Sequence, residues 1–239
     1  MYKNVVVIGA NGALGTTFIN KFLTYATLEN IFVFSREPFK HEDKRVTSNL
    51  IDYEKEDSIA AAAEKVPDGH VIDAIIVATG MLHNDSISPE KSLKELNATN
   101  MHHLFAANTI LPALIAKHFL GKLVLDRKSI FTAMSARVGS ISDNSLGGWF
   151  SYRASKAALN MTIKNIAVEF CRFHKKAVIV GLHPGTVDSY LSEPYKKRIA
   201  ADKLFSPDYA VDMLLDVLDK LCPEDSGWCY AYDGSKIEP

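Results

Sequence analysis

The chain has 239 residues, 47% of them hydrophobic and 23% charged, with a net charge of -1. That length can bury a substantial core in one large domain, and the near-zero net charge by itself suggests neither nucleic acid nor an anionic membrane as partner. Cys171, Cys222 and Cys229 are odd in number and lack C-x-x-C spacing, which argues against a disulfide framework or structural zinc and for a reducing, cytoplasmic setting.

The chain opens Met1-Tyr2-Lys3-Asn4 and enters a strand-like run at once, so no secretory leader is expected, and no uninterrupted apolar run reaches the roughly 20 residues of a membrane span. The first strand is predicted over 5–8, followed by GANGALG at 9–15 and a helix over 16–25. Further strands are expected at 31–34, 46–51, 74–78, 129–134, 177–181 and 228–232. Helical spacing appears at 58–64, 104–119, 151–173 and 208–221, the last opened by Ser206 as N-cap and Pro207 in the first turn. Most of the strands are apolar on both faces, as parallel strands covered by helices on each side must be. The alternation predicts an α/β fold: a single doubly wound, three-layer domain over 1–239, built from right-handed βαβ units.

Ligands of such sheets bind beyond the carboxyl ends of the strands. The segments found there are 9–15, Ser35-Arg36, Asp52, Thr79-Gly80, Ser135 and His183-Pro184-Gly185. The stretch most suggestive of chemistry is Tyr152-Arg153-Ala154-Ser155-Lys156. Positions i and i+4 share a helix face, so phenol and ammonium can enter one site. A free phenol titrates near 10, and moving it to about 7 takes roughly 4 kcal/mol, which a nearby cation can help provide. Such a phenol can give a proton to a carbonyl oxygen or take it back. Isolated Tyr-x-x-x-Lys pairs are also common on solvated helices, so the context matters.

GANGALG, Asp52, Asn108 within AANTILPAL, Ser135 within MSARVGSI, YRASKAALN and HPGTVDS follow one another in an order that resembles the short-chain dehydrogenases/reductases. VGSISDN, GGW before YRASK and the ending EDSGWCYAYDG are most similar to the C-factor-like carbonyl reductases of that superfamily. The resemblance implies a Rossmann-type, mostly parallel seven-stranded sheet ordered 3-2-1-4-5-6-7 and an Asn-Ser-Tyr-Lys tetrad. Tyr152 would be the acid–base group, and Lys156 would bind the nicotinamide ribose and lower the phenol's pKa together with the oxidised ring. Asn108 would hold a water, and a serine would bond the substrate oxygen. The family's second serine after the fifth strand is Ala136 here, which leaves Ser135 as candidate and Ser140 as its alternative. The family's Asn-Asn-Ala-Gly is reduced to Val77-Ala78-Thr79-Gly80.

The expected cofactor contacts are Gly9, Asn11, Gly12, Ala13, Leu14 and Gly15, where the following helix N-terminus faces a pyrophosphate, with Thr79, Gly80, Pro184, Gly185 and Val187 nearer the nicotinamide. Ser35 and Arg36 after the second strand suit a 2′-phosphate, so NADP(H) is expected over NAD(H), with Glu37 as the counterargument. Asp52 either contacts adenine or caps the next turn. The histidine pairs lack metal-ligand spacing, so no metal is expected. A surface lid is expected over 190–200, which includes Lys196-Lys197-Arg198. The resulting expectation is an NADPH-dependent reductase of an aldehyde or ketone, working between small-molecule carbonyl and alcohol, and forming a homodimer or homotetramer as the resemblance implies. Its rival is a dinucleotide-binding signalling protein with vestigial turnover.

Overall fold

Val5, Val6, Val7 and Ile8 are all fully buried, which a strand achieves only when each face has its own core. The computed structural model describes residues 2–69 and 71–239, with the backbone alone at Arg198 and Ala201. Its first half runs β1 (Asn4–Ile8), α1 (Ala13–Leu23), β2 (Asn30–Ser35), β3 (Val46–Leu50), α2 (Glu56–Ala63), β4 (Ala74–Val77), α3 (Ala98–Phe105) and α4 (Leu111–Phe119). Then follow β5 (Ser129–Met134), α5 (Phe150–Phe170), β6 (Ala177–His183), β7 (Thr186–Val187), β8 (Leu204–Phe205), α6 (Pro207–Lys220), β9 (Cys229–Ala231) and β10 (Lys236–Ile237). Alternate side chains of β1 enter opposite cores. Val6 and Ile8 pack in the core closed by α2, α4 and α5, while Val5 and Val7 pack in the one closed by α1 and α6.

The main sheet is ordered β10-β9-β6-β5-β4-β1-β2-β3 and is parallel except for β10, which runs antiparallel to β9. The expected seven strands and their order are present, and β10 is an eighth. A two-residue strand has no periodicity to read, so it was invisible in the sequence. A separate parallel pair, β7 with β8, brackets the segment over the carboxyl ends of the sheet. The third predicted helix begins earlier than its apolar spacing suggests, at Ala98, where the Asn97 side chain accepts from the Asn100 N–H. Between α3 and α4 lies a π-helical turn, Ala106–Ile110. The stretch Ala98–Lys122 has the length and hydropathy of a membrane span, yet Leu111, Ile115 and Phe119 turn inward against the sheet.

β1 pairs with β2 on one side and β4 on the other. The chain leaves β1 toward one face and β4 toward the opposite one, so their following loops separate and open a crevice at the carboxyl ends.

Candidate active site

That crevice is a cleft of about 580 Å³. Tyr152, Lys156 and Ser135 line it, together with Asn11, Gly12, Ala13 and Leu14 of the first loop, Arg36 after β2, and Thr79 and Gly80 after β4. Pro184, Gly185 and Val187 close it from the β6 side, and Tyr190, Leu191 and Tyr195 lie across its mouth. Residues separated by more than a hundred positions therefore meet where the topology predicts.

Tyr152 and Lys156 share one face of α5, with Lys156 Nζ 5.8 Å from the centre of the phenol ring. Both are buried. Lys156 Nζ donates to the Met134 carbonyl at 2.8 Å, which fixes it at the end of β5 and leaves two of its three donors. Burial raises the Tyr152 phenol above its ordinary value and pushes Lys156 down to about 8. Burial acts against the lowering of the phenol that the sequence suggests, because desolvation penalises every charged form.

Asn108 stands on the π-helical turn, immediately behind the cleft. Its Oδ1 accepts from the Met81 N–H and its Nδ2 donates to the Met81 carbonyl, both at 2.8 Å. The same amide nitrogen donates to Ser155 Oγ at 3.0 Å, and Ser155 donates in turn to the Tyr152 carbonyl at 2.8 Å. Asn108 thus braces the loop after β4 against the turn of α5 that carries the phenol. Gly80 keeps the space beside Lys156 Nζ and Asn108 Oδ1 free of a side chain.

Ser135 reaches the cleft, but its hydroxyl donates to Asn160 Oδ1 at 2.6 Å. A hydroxyl has one proton to give, so in this arrangement it can only accept from a ligand. Ser140 does not line the cleft; its Oγ bonds Ser142 Oγ and accepts from the Asp143 N–H. Ala136 occupies the cleft wall and packs with Tyr152, Leu82 and Leu104.

On the cofactor side, Gly9 has φ +94° and Gly15 packs so closely on it that a Cβ would lie 2.1 Å from the Gly9 carbonyl oxygen. These two glycines shape the loop, while Gly12, Ala13 and Leu14 face the cleft. Gly12 caps α1 without any side-chain bond, so the helix's first amides keep no side-chain acceptor. Thr79 Oγ1 is buried with no partner among the described residues. Orphan donors around a close backbone approach fit a dinucleotide pyrophosphate. Arg36 is exposed at the rim, 5.7 Å from the Tyr53 ring centre.

Two expected contacts are engaged elsewhere. Ser35 is buried off the cleft and donates to the Glu37 carbonyl, which also receives Asn11 Nδ2. Asp52 pairs with Lys55 at 2.9 Å and accepts from the Glu54 N–H, so it follows the turn-capping alternative and is absent from the cleft lining. The residues sequence reasoning missed are Ser155 and Asn160, which hold the site from behind, and Glu90, whose buried carboxylate accepts from the Ser151 N–H and hydroxyl. Ser155 and Asn160 sit three and eight positions after Tyr152 on an already predicted helix, and helical facing could have found them. No local signal pointed to Glu90.

The segment expected to act as a lid is helical in 3₁₀ turns over Tyr190–Arg198, with the Arg198 side chain outside the described residues. His83 Nε2 lies 3.1 Å from the Tyr190 carbonyl and its ring 4.9 Å from that of Tyr190.

Comparison with known proteins agrees with this fold. The family model for short chain dehydrogenase matches residues 3–200. An uncharacterized oxidoreductase of Schizosaccharomyces pombe is 25% identical over 258 residues, covering 98% of this chain and 97% of the relative. C-signal of Myxococcus xanthus is 30% identical over 146 residues, covering 61% of this chain and 82% of that protein. Among solved structures, the NADPH-bound carbonyl reductase from chicken fatty liver superposes with a TM-score of 0.86 at 24% identity, over 100% of this chain and 94% of that one. The carbonyl reductase Sniffer of D. melanogaster gives 0.85 at 18% identity over the whole of both chains. At those identities the structural likeness speaks for the fold, and the family match speaks for descent. The protein belongs to the short-chain dehydrogenases, a family of NAD(P)-dependent oxidoreductases.

Proposed function

We propose that this protein reduces an aldehyde or ketone with NADPH, using Tyr152 as its acid–base group. The observation that carries the reading is the convergence of the 9–15 loop, Lys156 and Tyr152 on one cleft. When bound, the nicotinamide cofactor supplies the hydride and, once oxidised, a positive charge. Tyr152 holds the proton that a carbonyl oxygen requires as it becomes an alkoxide, and burial keeps that phenol protonated at neutral pH. Lys156 holds its charge beside the ring while anchored to Met134. Asn108, acting through Ser155, fixes the helical turn on which the phenol rides. Tyr152→Phe is expected to lower kcat by roughly 10²–10⁴ while NADPH affinity is retained; undiminished turnover would remove the assignment.

The preference for NADPH over NADH rests on Arg36. Arg36 lines the cleft and Glu37 does not, its backbone carbonyl accepting from Asn11 and Ser35. A charge-assisted bond of about 1.5–3 kcal/mol predicts a Kd for NADPH roughly 10- to 100-fold below that for NADH, a margin that Arg36→Ala abolishes. A preference for NADH would overturn it.

One observation favours a second reading, a dinucleotide-binding signalling or regulatory protein with vestigial turnover. Ala136 has no hydroxyl, and Ser135 gives its proton to Asn160. Tight NADPH binding with no turnover across a broad panel of aldehydes and ketones would establish that alternative.

A further inference from the structure

Among the described residues, Trp149 alone combines a side chain with a left-handed backbone, at φ +49° and ψ +42°. L-residues avoid that region, and such strain persists only where the surroundings over-determine it, typically at functional sites. Here they do. Gly147 and Gly148 precede it with φ of +66° and +63°. The Trp149 N–H donates to the Glu90 carbonyl at 2.5 Å. Arg153 Nε is 3.2 Å from both the Gly147 and Gly148 carbonyls. The buried Glu90 carboxylate meanwhile holds the first turn of α5 through Ser151.

The result is the position of one ring. Trp149 lines the cleft, edge-on to Tyr152 with centroids 6.2 Å apart and 5.2 Å from Tyr195 of the expected lid segment. Leu82, Val138 and Leu191 complete that side. The lysine and arginine side chains lining the described cleft are Lys156 and Arg36, both placed with the expected cofactor contacts, and no carboxylate lines it. His183, at the end of β6, is held neutral by burial, its pKa pushed down to about 4.

We propose that the Gly147-Gly148-Trp149 turn selects the substrate: Trp149 and Tyr195, their rings tilted by 50° to each other, wall one side of an uncharged slot beside Tyr152 for the aryl ring of a neutral aromatic aldehyde or ketone. Ring faces and edges give such a substituent contacts beyond its area, whereas a carboxylate entering the slot would lose its water without a partner. The proposal rests on the carbonyl-reductase reading above.

The test is a steady-state comparison of benzaldehyde, cyclohexanecarbaldehyde and 4-carboxybenzaldehyde, with NADPH and separately with NADH. Conjugation makes benzaldehyde less electrophilic than its saturated counterpart, so a preference for it reports the slot. We expect kcat/KM for benzaldehyde to exceed that for each of the other two by about tenfold or more. Trp149→Phe should keep the preference, and Trp149→Leu should shrink it to within about threefold, through KM, at unchanged NADPH affinity. A wild type that treats benzaldehyde and cyclohexanecarbaldehyde alike overturns the slot, whether or not the leucine variant folds, and so does a leucine variant that keeps the preference. If no aldehyde turns over, the reductase reading fails, and binding decides the slot instead. Acetophenone must then quench the Trp149 emission, taken as wild type minus Trp149→Phe, more strongly than cyclohexyl methyl ketone; equal quenching overturns it.

Discussion

In the proposed reaction, Ala136 leaves the substrate's carbonyl oxygen with the Tyr152 hydroxyl as its donor, because Ser135 spends its proton on Asn160. Ala136→Ser should therefore raise kcat/KM about tenfold, less than the roughly 10²–10³ of a fully preorganised donor. Ser135→Ala should change it by less than about threefold, since that hydroxyl has no proton left to offer. Steady-state rates on one aldehyde check both, and an unchanged rate for Ala136→Ser would show that position 136 does not face the reacting oxygen. Lys156 makes a different statement, about stability. Its folded pKa of about 8 lies below its ordinary 10.5, so between those values the unfolded chain binds more protons and stability rises with pH. The penalty is about 3 kcal/mol at pH 7 and falls below about 1 kcal/mol by pH 10. Urea unfolding of Lys156→Met against wild type should show the variant's relative stability dropping by about 2 kcal/mol from pH 7 to pH 10, and a pH-independent difference would contradict the burial of a charged lysine. That Tyr152 and Lys156 share a helix face was legible from their spacing, and that they belong to a site only from the ordered motifs around them. Ser135's orientation was not, because Asn160 reaches it from another element.

At the scale of elements, the irregular GANGALG loop divides its labour. Gly15 has no room for a methyl group against the Gly9 backbone, whereas the nearest atom to a Cβ on Gly12 is 3.4 Å away. Gly15→Ala is expected to cost about 1–3 kcal/mol and to weaken NADPH binding about tenfold or more. Gly12→Ala should stay within about 1 kcal/mol, as an alanine replacing a helix cap does. Thermal melts with and without NADPH separate the two, and equal effects would show that the middle glycine is also required. The outer glycines were readable as a turn, but which of the three is sterically obligatory depends on how α1 packs back onto the end of β1. The π-helical turn at Asn108 carried no sequence signal at all. It follows from the amide's three bonds to Met81 and Ser155, which draw that turn toward the cleft.

For the whole molecule, the sheet separates two main cores, and the central strands send alternate apolar side chains into one or the other. Phe119 lies fully buried in the α4 core, edge-on to Phe34 at 5.5 Å and remote from the cleft lining. Phe119→Ala should cost about 3–5 kcal/mol of unfolding free energy, read as a lower urea midpoint at unchanged m, with kcat retained. Lost activity at full stability would mean that the core and the site are coupled. The two cores were foreseeable because strands apolar on both faces require helices on both sides. The sheet order was legible through the family resemblance, whereas the crevice follows from parallel βαβ winding itself. The amino-acid sequence by itself therefore determined the seven longer strands, the crevice and the placing of tyrosine and lysine on one helix face, since these depend on periodicity and local spacing. Only the tertiary structure decided that Ser135 turns to Asn160 and that Trp149 is held left-handed over the cleft. Each of those outcomes depends on a hydrogen bond or ring contact that local periodicity does not encode, and the hold on Trp149 comes from Glu90, 59 positions earlier in the chain.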